Sequence, residues 1–112
     1  MSRRVEGPSF VPARYAFDPR AERPEGWGRL LRLGANGASL LTGGRLDAGD
    51  RLSLTFELPG EAFDGVWAVV RTAETDPDGY REASLRFLDP RDAKRLGRVL
   101  AGLLARTPAV GA

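Results

Sequence analysis

The stretch Arg51 to Leu58 constrains the fold more than any other part of the chain. Leu52, Leu54, Phe56 and Leu58 alternate with Arg51, Ser53, Thr55 and Glu57. Strict alternation of this length demands a strand with one dry face and one wet face. Such a strand needs partners along its edges and a cover for its dry face. The rest of the chain supplies candidates. Phe10 to Phe17 places Val11, Ala13, Tyr15 and Phe17 on one side, and Pro12 confines it to a sheet edge or a strand start. Gly28 to Leu33 and Ala38 to Thr42 bracket Gly34-Ala35-Asn36-Gly37, where Asn36-Gly37 predicts a tight turn with positive φ. Val66 to Ala73 is a β-branched run, and Trp67 within it is expected in the core or the barrel wall. Tyr80 to Leu88 points Ala83, Leu85 and Phe87 inward.

After Leu88 the apolar period changes from two to 3.6. Leu96, Val99, Leu100, Leu103 and Leu104 fall on one helical stripe. Asp89 is the expected N-cap, Pro90 the first helical residue, and Asp92 complements the positive end of the dipole. Gly97 and Gly102 each weaken the helix by about 1 kcal/mol against alanine, unless a partner packs closely there. The turns recur every 8 to 12 residues. That spacing predicts a small antiparallel barrel of six short strands, closed or nearly so, with the helix over an open end or one side. Residues 1–9 form the expected flexible arm, 10–106 the barrel and helix, and 107–112 a tail.

Composition removes whole classes of chemistry. The 112 residues contain neither cysteine nor histidine. Disulfides, thiolate zinc sites, thiol nucleophiles and the commonest general base are therefore absent. The acidic pairs Asp47/Asp50 and Asp76/Asp78 lie in turn sequences and read as turn formers rather than metal ligands. There is no P-loop and no GxGxxG. No enzyme, resident cofactor or metal is expected. The apolar runs are too short to span a bilayer, and Met1 to Pro8 lacks the apolar stretch of a signal peptide, so a cytoplasmic location is expected.

The 17 basic and 15 acidic residues leave a net charge of +2, and only Lys94 among the bases is not arginine. Such a balance is not the clustered excess of a nucleic-acid-binding surface. The scarcity of outward aromatics also counts against that alternative. The arginines read either as a compositional bias or as groups for planar recognition of phosphate or carboxylate. Trp27, between Gly26 and Gly28, is a candidate for exposure near a site.

From residue 10 to about residue 104 the order of features resembles the PilZ domain. The stretch GRLLRLGANGASLLTGGRLDAGDRLSLTFELP carries the resemblance, followed by VWAVVR at Val66 to Arg71 and ASLRFL at Ala83 to Leu88. The resemblance implies a six-stranded barrel with a C-terminal helix that serves as a cyclic di-GMP receptor. The family's Asp/Asn-x-Ser-x-x-Gly motif falls on Arg32, Gly34 and Gly37, of which only Gly37 matches. An acidic or amide side chain accepts from guanine N–H groups, whereas arginine only donates, and Gly34 removes the hydroxyl. The family's Arg-x-x-x-Arg clamp is incomplete, because Pro8 stands four residues after Arg4. Arg3 and Arg4 read either as a solvated pair or as an arm folding over a ligand. Arg32 reads either as an outward residue with an acidic neighbour or as a phosphate ligand.

The expectation is a stand-alone regulatory module of bacterial cyclic di-GMP signalling, surface motility or type IV pilus control. It would act through a protein partner and bind cyclic di-GMP weakly, or not at all, by the standard mode. The first alternative is a genuine cyclic di-GMP receptor using Arg3 and Arg4; the second is a nucleic-acid-binding barrel. Along the helix Arg91, Lys94, Arg95, Arg98 and Arg106 are expected opposite the apolar stripe. Arg95 and Arg98 are the candidate contacts for an acidic partner protein.

Overall fold

The computed structural model describes residues 11–106. Six strands and one helix follow one another along the chain: β1 (Val11–Phe17), β2 (Gly26–Leu30), β3 (Gly37–Thr42), β4 (Arg51–Leu58), β5 (Glu61–Thr75), β6 (Arg81–Phe87) and α1 (Pro90–Arg106). The strands close into an antiparallel barrel in the order β1-β2-β3-β6-β5-β4. Closure pairs β1 with β4, Tyr15 opposite Leu54, so no strand is left with a bare edge. The expected six-stranded barrel with a C-terminal helix is the fold observed.

The alternation of β4 is realised residue by residue. Leu52, Leu54, Phe56 and Leu58 are buried, and Arg51 and Glu57 are exposed. Phe56 stacks on Phe63 of β5 with ring centroids 5.2 Å apart. Leu30, Leu40, Leu46, Val66, Val70, Leu85 and Phe87 complete the interior. The Tyr15 hydroxyl meets Thr42 Oγ1 at 3.0 Å, and the threonine hydroxyl donates to the Trp27 carbonyl at 2.8 Å, so these buried polar groups are satisfied.

Strand β5 is longer than the sequence reading allowed. It begins at Glu61 rather than Val66, because Pro59-Gly60 makes a two-residue hairpin with Gly60 at φ 80°. Gly65, at φ 76°, is the extra residue of a bulge: Leu54 pairs Val66 while Thr55 pairs Asp64. The bulge inverts the inward parity, which passes from Phe63 to Val66. A single period of two therefore cannot be followed through this strand. Trp67 consequently lies in the barrel wall with its side chain outward, 38% exposed, rather than in the core.

The connection of β2 to β3 also differs from expectation. Strand β2 stops at Leu30, and residues 31–36 form a loop instead of a tight turn. Gly37 is the first residue of β3 and does not have positive φ. It is glycine for another reason: a Cβ there would collide with the Leu85 carbonyl oxygen of β6. Within the loop, the Gly34 N–H donates to the Gly37 carbonyl at 2.9 Å. The acidic turns are as expected. Asp50 accepts from the Asp47 N–H, and Asp76 accepts from the N–H groups of Asp78 and Tyr80.

Helix α1 starts at Pro90, and Asp89 Oδ1 accepts from the Arg91 N–H at 2.9 Å. That backbone hydrogen bond, then the Arg91 side chain, hold the Asp89 carboxyl below its ordinary value. Leu96 is fully buried, and Val99, Leu100 and Leu103 pack partly against the core. Leu104 leaves the expected stripe and is 74% exposed. Ala35 sits 3.5 Å from where a Cβ on Gly97 would lie, an ordinary contact distance, so packing does not require that glycine.

Candidate functional site

Strands β3, β6 and β5 are neighbours in the barrel, and their inward residues are spent on the core. Around the middle of β3 and β6 the outward residues are polar or basic. Ser39 of β3 stands opposite Ser84 of β6, and Gly37 stands opposite Arg86. On the other side, Val69 and Thr72 of β5 face Arg86 and Ser84. A register shift between Val70 and Thr72 leaves Arg71 without an opposite residue, so Arg71 and Thr72 both face out. The loop after β2 brings Arg32 to the same face.

Arg32, Gly37, Ser39, Arg71, Ser84 and Arg86 line one shallow basin of about 320 Å³, with Asn36 on its rim. Arg32, Arg71 and Arg86 are exposed. Arg32 Nη1 lies 3.9 Å from Glu82 Oε2. At that separation and 80% exposure the pair contributes little. Among the described residues, Arg71 and Arg86 make no ion pair. Guanidinium groups donate and never accept, and a serine hydroxyl does either. The basin is thus a donor-rich surface suited to an anion.

The sequence reading placed two of these residues here, Arg32 and Gly37. Gly34 lies nearby in the loop but offers only backbone. Arg3, Arg4 and Pro8 lie outside the described residues, as does Phe10. Arg71 and Arg86 were not assigned to the site, although both belong to the segments VWAVVR and ASLRFL. Their outward parity beside the buried Val70 and Leu85 was the available signal.

The helix divides its two candidate arginines. Arg95 does not face away from the barrel as expected. Its Nε donates to Glu61 Oε2 at 2.9 Å, and its Nη2 donates to the same oxygen and to the Ala62 carbonyl. Its guanidinium lies 4.2 Å over the Phe63 ring. Arg95 therefore ties α1 to the start of β5. Arg98 is exposed, with Lys94 and Arg91 on the outer face of the helix; Arg91 reaches back to Asp89 at 3.5 Å. Trp27 is 68% exposed on β2, beside Pro12, Arg14 and Gly43.

Among the described residues no cluster of acidic side chains could hold a metal ion, and no helix is long and apolar enough to cross a membrane. No protein-family model matches the sequence, and no curated protein matches it. Solved structures do resemble it. YcgR from Escherichia coli in complex with c-di-GMP superposes with a TM-score of 0.66 at 18% identity, over 85% of this chain and 42% of that one. The Bacillus subtilis inhibitor of motility MotI/DgrA gives 0.65 at 20% identity, over 96% of this chain and 54% of that one. MrkH from K. pneumonia gives 0.65 at 16%, over 93% and 52%. These neighbours are PilZ-domain proteins. The chain spans about half the length of each, and at these identities the likeness is one of fold.

Proposed function

We propose that this PilZ-like barrel is a non-catalytic regulatory module of cyclic di-GMP signalling, in motility or type IV pilus control, that works through a protein partner. It does not read cyclic di-GMP by the standard family mode. The observation that carries this reading is Arg32. It occupies the position where the family motif has an acceptor, and it stands exposed at the basin with, among the described residues, one carboxylate 3.9 Å away. Gly34 adds no hydroxyl, and its N–H is already used within the loop. Guanine's donor edge therefore finds another donor.

The outer face of α1 is the surface proposed for the partner. With Arg95 committed to Glu61, that surface comprises Arg98 and Lys94, flanked by Arg91. It suits an acidic protein segment. YcgR is a complex with c-di-GMP and MotI/DgrA an inhibitor of motility; both support a regulatory reading over an enzymatic one.

Calorimetric titration with cyclic di-GMP tests the proposal. The expected trace for the native chain shows no guanine-dependent binding in the micromolar range. Arg32→Asp, Gly34→Ser and Pro8→Arg together are expected to create it, by restoring an acceptor, a hydroxyl and a second clamp arginine. Micromolar, guanine-specific binding by the native chain would overturn the reading in favour of a genuine receptor.

A further inference from the structure

Independently of α1, we propose that the outer face of the barrel around Trp27 docks a proline-containing, acidic segment of a partner protein in polyproline conformation. Among the described residues four large apolar side chains are exposed, Trp27, Trp67, Tyr80 and Leu104, and two of them share one surface. Trp27 and Tyr80 line a groove of about 430 Å³ together with Leu41 and Gly43. Toward β4, Trp27 borders a second groove, of about 510 Å³, with Pro12, Arg14 and Glu57. Both anchors are held by their backbones. The Trp27 carbonyl accepts from the Thr42 hydroxyl, and the Tyr80 N–H donates to Asp76 Oδ1. Exposed rings on fixed backbones lose little conformational freedom on docking.

The architecture selects the mode of recognition. Closure of the barrel leaves no bare edge for an added strand. A docked helix needs a continuous apolar trough, and here Arg14, Arg29 and Glu57 interrupt the apolar surface. Two short grooves that share one tryptophan fit a polyproline segment, whose tight turn sets successive proline rings against aromatic faces. Charge selects the flanks. In the β1–β2 pairing Arg14 stands opposite Trp27, and Arg29 opposite Pro12. Both arginines are exposed, and among the described residues Arg14 makes no ion pair. Against them the two grooves hold one carboxylate, Glu57. Carboxylates beside the partner's prolines complement that rim. The chain's own residues 1–10 are a poorer occupant, because they carry Arg3 and Arg4 against Glu6 alone.

A random dodecapeptide library displayed on phage and panned on the native chain tests this. The enriched sequences are expected to carry two or more prolines flanked by Asp or Glu. The leading one, as a synthetic peptide, is expected to bind in the micromolar range by calorimetry. Trp27→Ala/Tyr80→Ala is expected to weaken that peptide by about tenfold or more. Arg14→Ala is expected to weaken it by about threefold and to reduce its salt dependence. Gly43→Leu gives a second measure. The nearest atom to a Cβ there belongs to the Tyr80 ring, 3.7 Å away, so the new side chain fills the groove without a backbone clash, and binding is expected to fall as in the double variant. All four positions are exposed, so melting temperatures are expected to hold. Arg51→Ala, an exposed arginine of β4 outside both grooves, is expected to change nothing. No enrichment, enrichment without proline, or enrichment of basic sequences would overturn the inference, as would a selected peptide that binds the Trp27→Ala/Tyr80→Ala chain equally well. Binding of oligothymidylate that this variant loses would assign the face to nucleic acid, and a native dimer that it breaks would assign the face to a second copy; either overturns the docking of a partner segment. None of these residues belongs to the α1 surface, so the proposed function stands or falls separately.

Discussion

The wall made by β4 and the wall made by β3 and β6 share one interior and have different exteriors. Inside, both obey the same rule: Leu52, Leu54 and Phe56 on one wall, Leu40, Ala83 and Leu85 on the other, all buried. Outside, the middle of β4 shows Ser53 and Thr55, with Thr55 bonded to Asp64 at 3.0 Å. The β3 and β6 wall shows paired serines, a bare glycine and Arg86, with Arg32 and Arg71 at its margins. Interior packing thus says nothing about which side of a barrel is chemically active. That information resides in outward positions, where residues are under little packing constraint and are free to be arginine.

The largest effect that would break this comparison lies in the shared core. Leu54→Ala or Phe56→Ala is expected to cost about 2–5 kcal/mol through the cavity left behind. Ser53→Ala is expected to stay within about 0.5 kcal/mol. Denaturant melts of the three variants check it; equal losses would mean that the inward register is not what holds the wall.

Two glycines sharpen it next. Gly37→Ala drives a methyl group into the Leu85 carbonyl, where β3 meets β6. The expected loss is about 1–3 kcal/mol, typical of forced overpacking. Gly97→Ala meets only the Ala35 side chain at contact distance. It is expected to gain up to about 1 kcal/mol from helix propensity. Thermal melts that moved in the same direction would show the two glycines to be equivalent.

The arginines of α1 give a smaller contrast. Arg95→Ala removes the partly exposed link to Glu61 and the guanidinium over the buried Phe63 ring, and is expected to cost about 1 kcal/mol. Arg98→Ala is expected to leave the melting temperature unchanged and to weaken capture of the partner. A stability loss at Arg98 comparable with that at Arg95 would remove the division between a structural and a free face.

The smallest effect is a pH dependence. Asp89 is held below its ordinary value of 3.8, first by the Arg91 N–H. A carboxyl depressed in the folded state contributes stability that is present above the unfolded value and lost as pH falls through the folded one. Melting temperature is therefore expected to drop on acidification below about pH 4. Asp89→Asn keeps a cap and is expected to make that drop shallower. It will not abolish it, since Asp18 is also depressed, chiefly by the Arg20 side chain.

Much of the fold was legible because it depends on short-range pattern. The eight residues of β4, the Asp89-Pro90 helix start and the acidic turns each carry their signal within a few residues. The failures have a common cause as well. The β-branched run starts the strand at Val66, yet β5 begins at Glu61 and carries Gly65 as a bulge because β4 pairs across it. Asn36-Gly37 reads locally as a turn, yet Gly37 is a strand residue because β6 approaches it too closely for a side chain. Arg95 reads as solvent-facing by helical position, yet Glu61 and Phe63, remote in sequence, claim it.

The candidate site divides in the same way. By itself the sequence determined that positions 32 and 34 offer neither an acceptor carboxylate nor a hydroxyl, and that neither histidine nor cysteine is present to do chemistry. Periodicity also settled which side chains of β4 and β6 turn inward, since a strand can bury only alternate residues. Only the tertiary structure decided that Arg32, Arg71 and Arg86 share one basin. They come from a loop and two strands separated by 39 and 15 residues along the chain. Their meeting depends on the register of β6 against β3 and on the bulge at Arg71, which are set by pairing across the barrel and leave no periodic trace in the sequence.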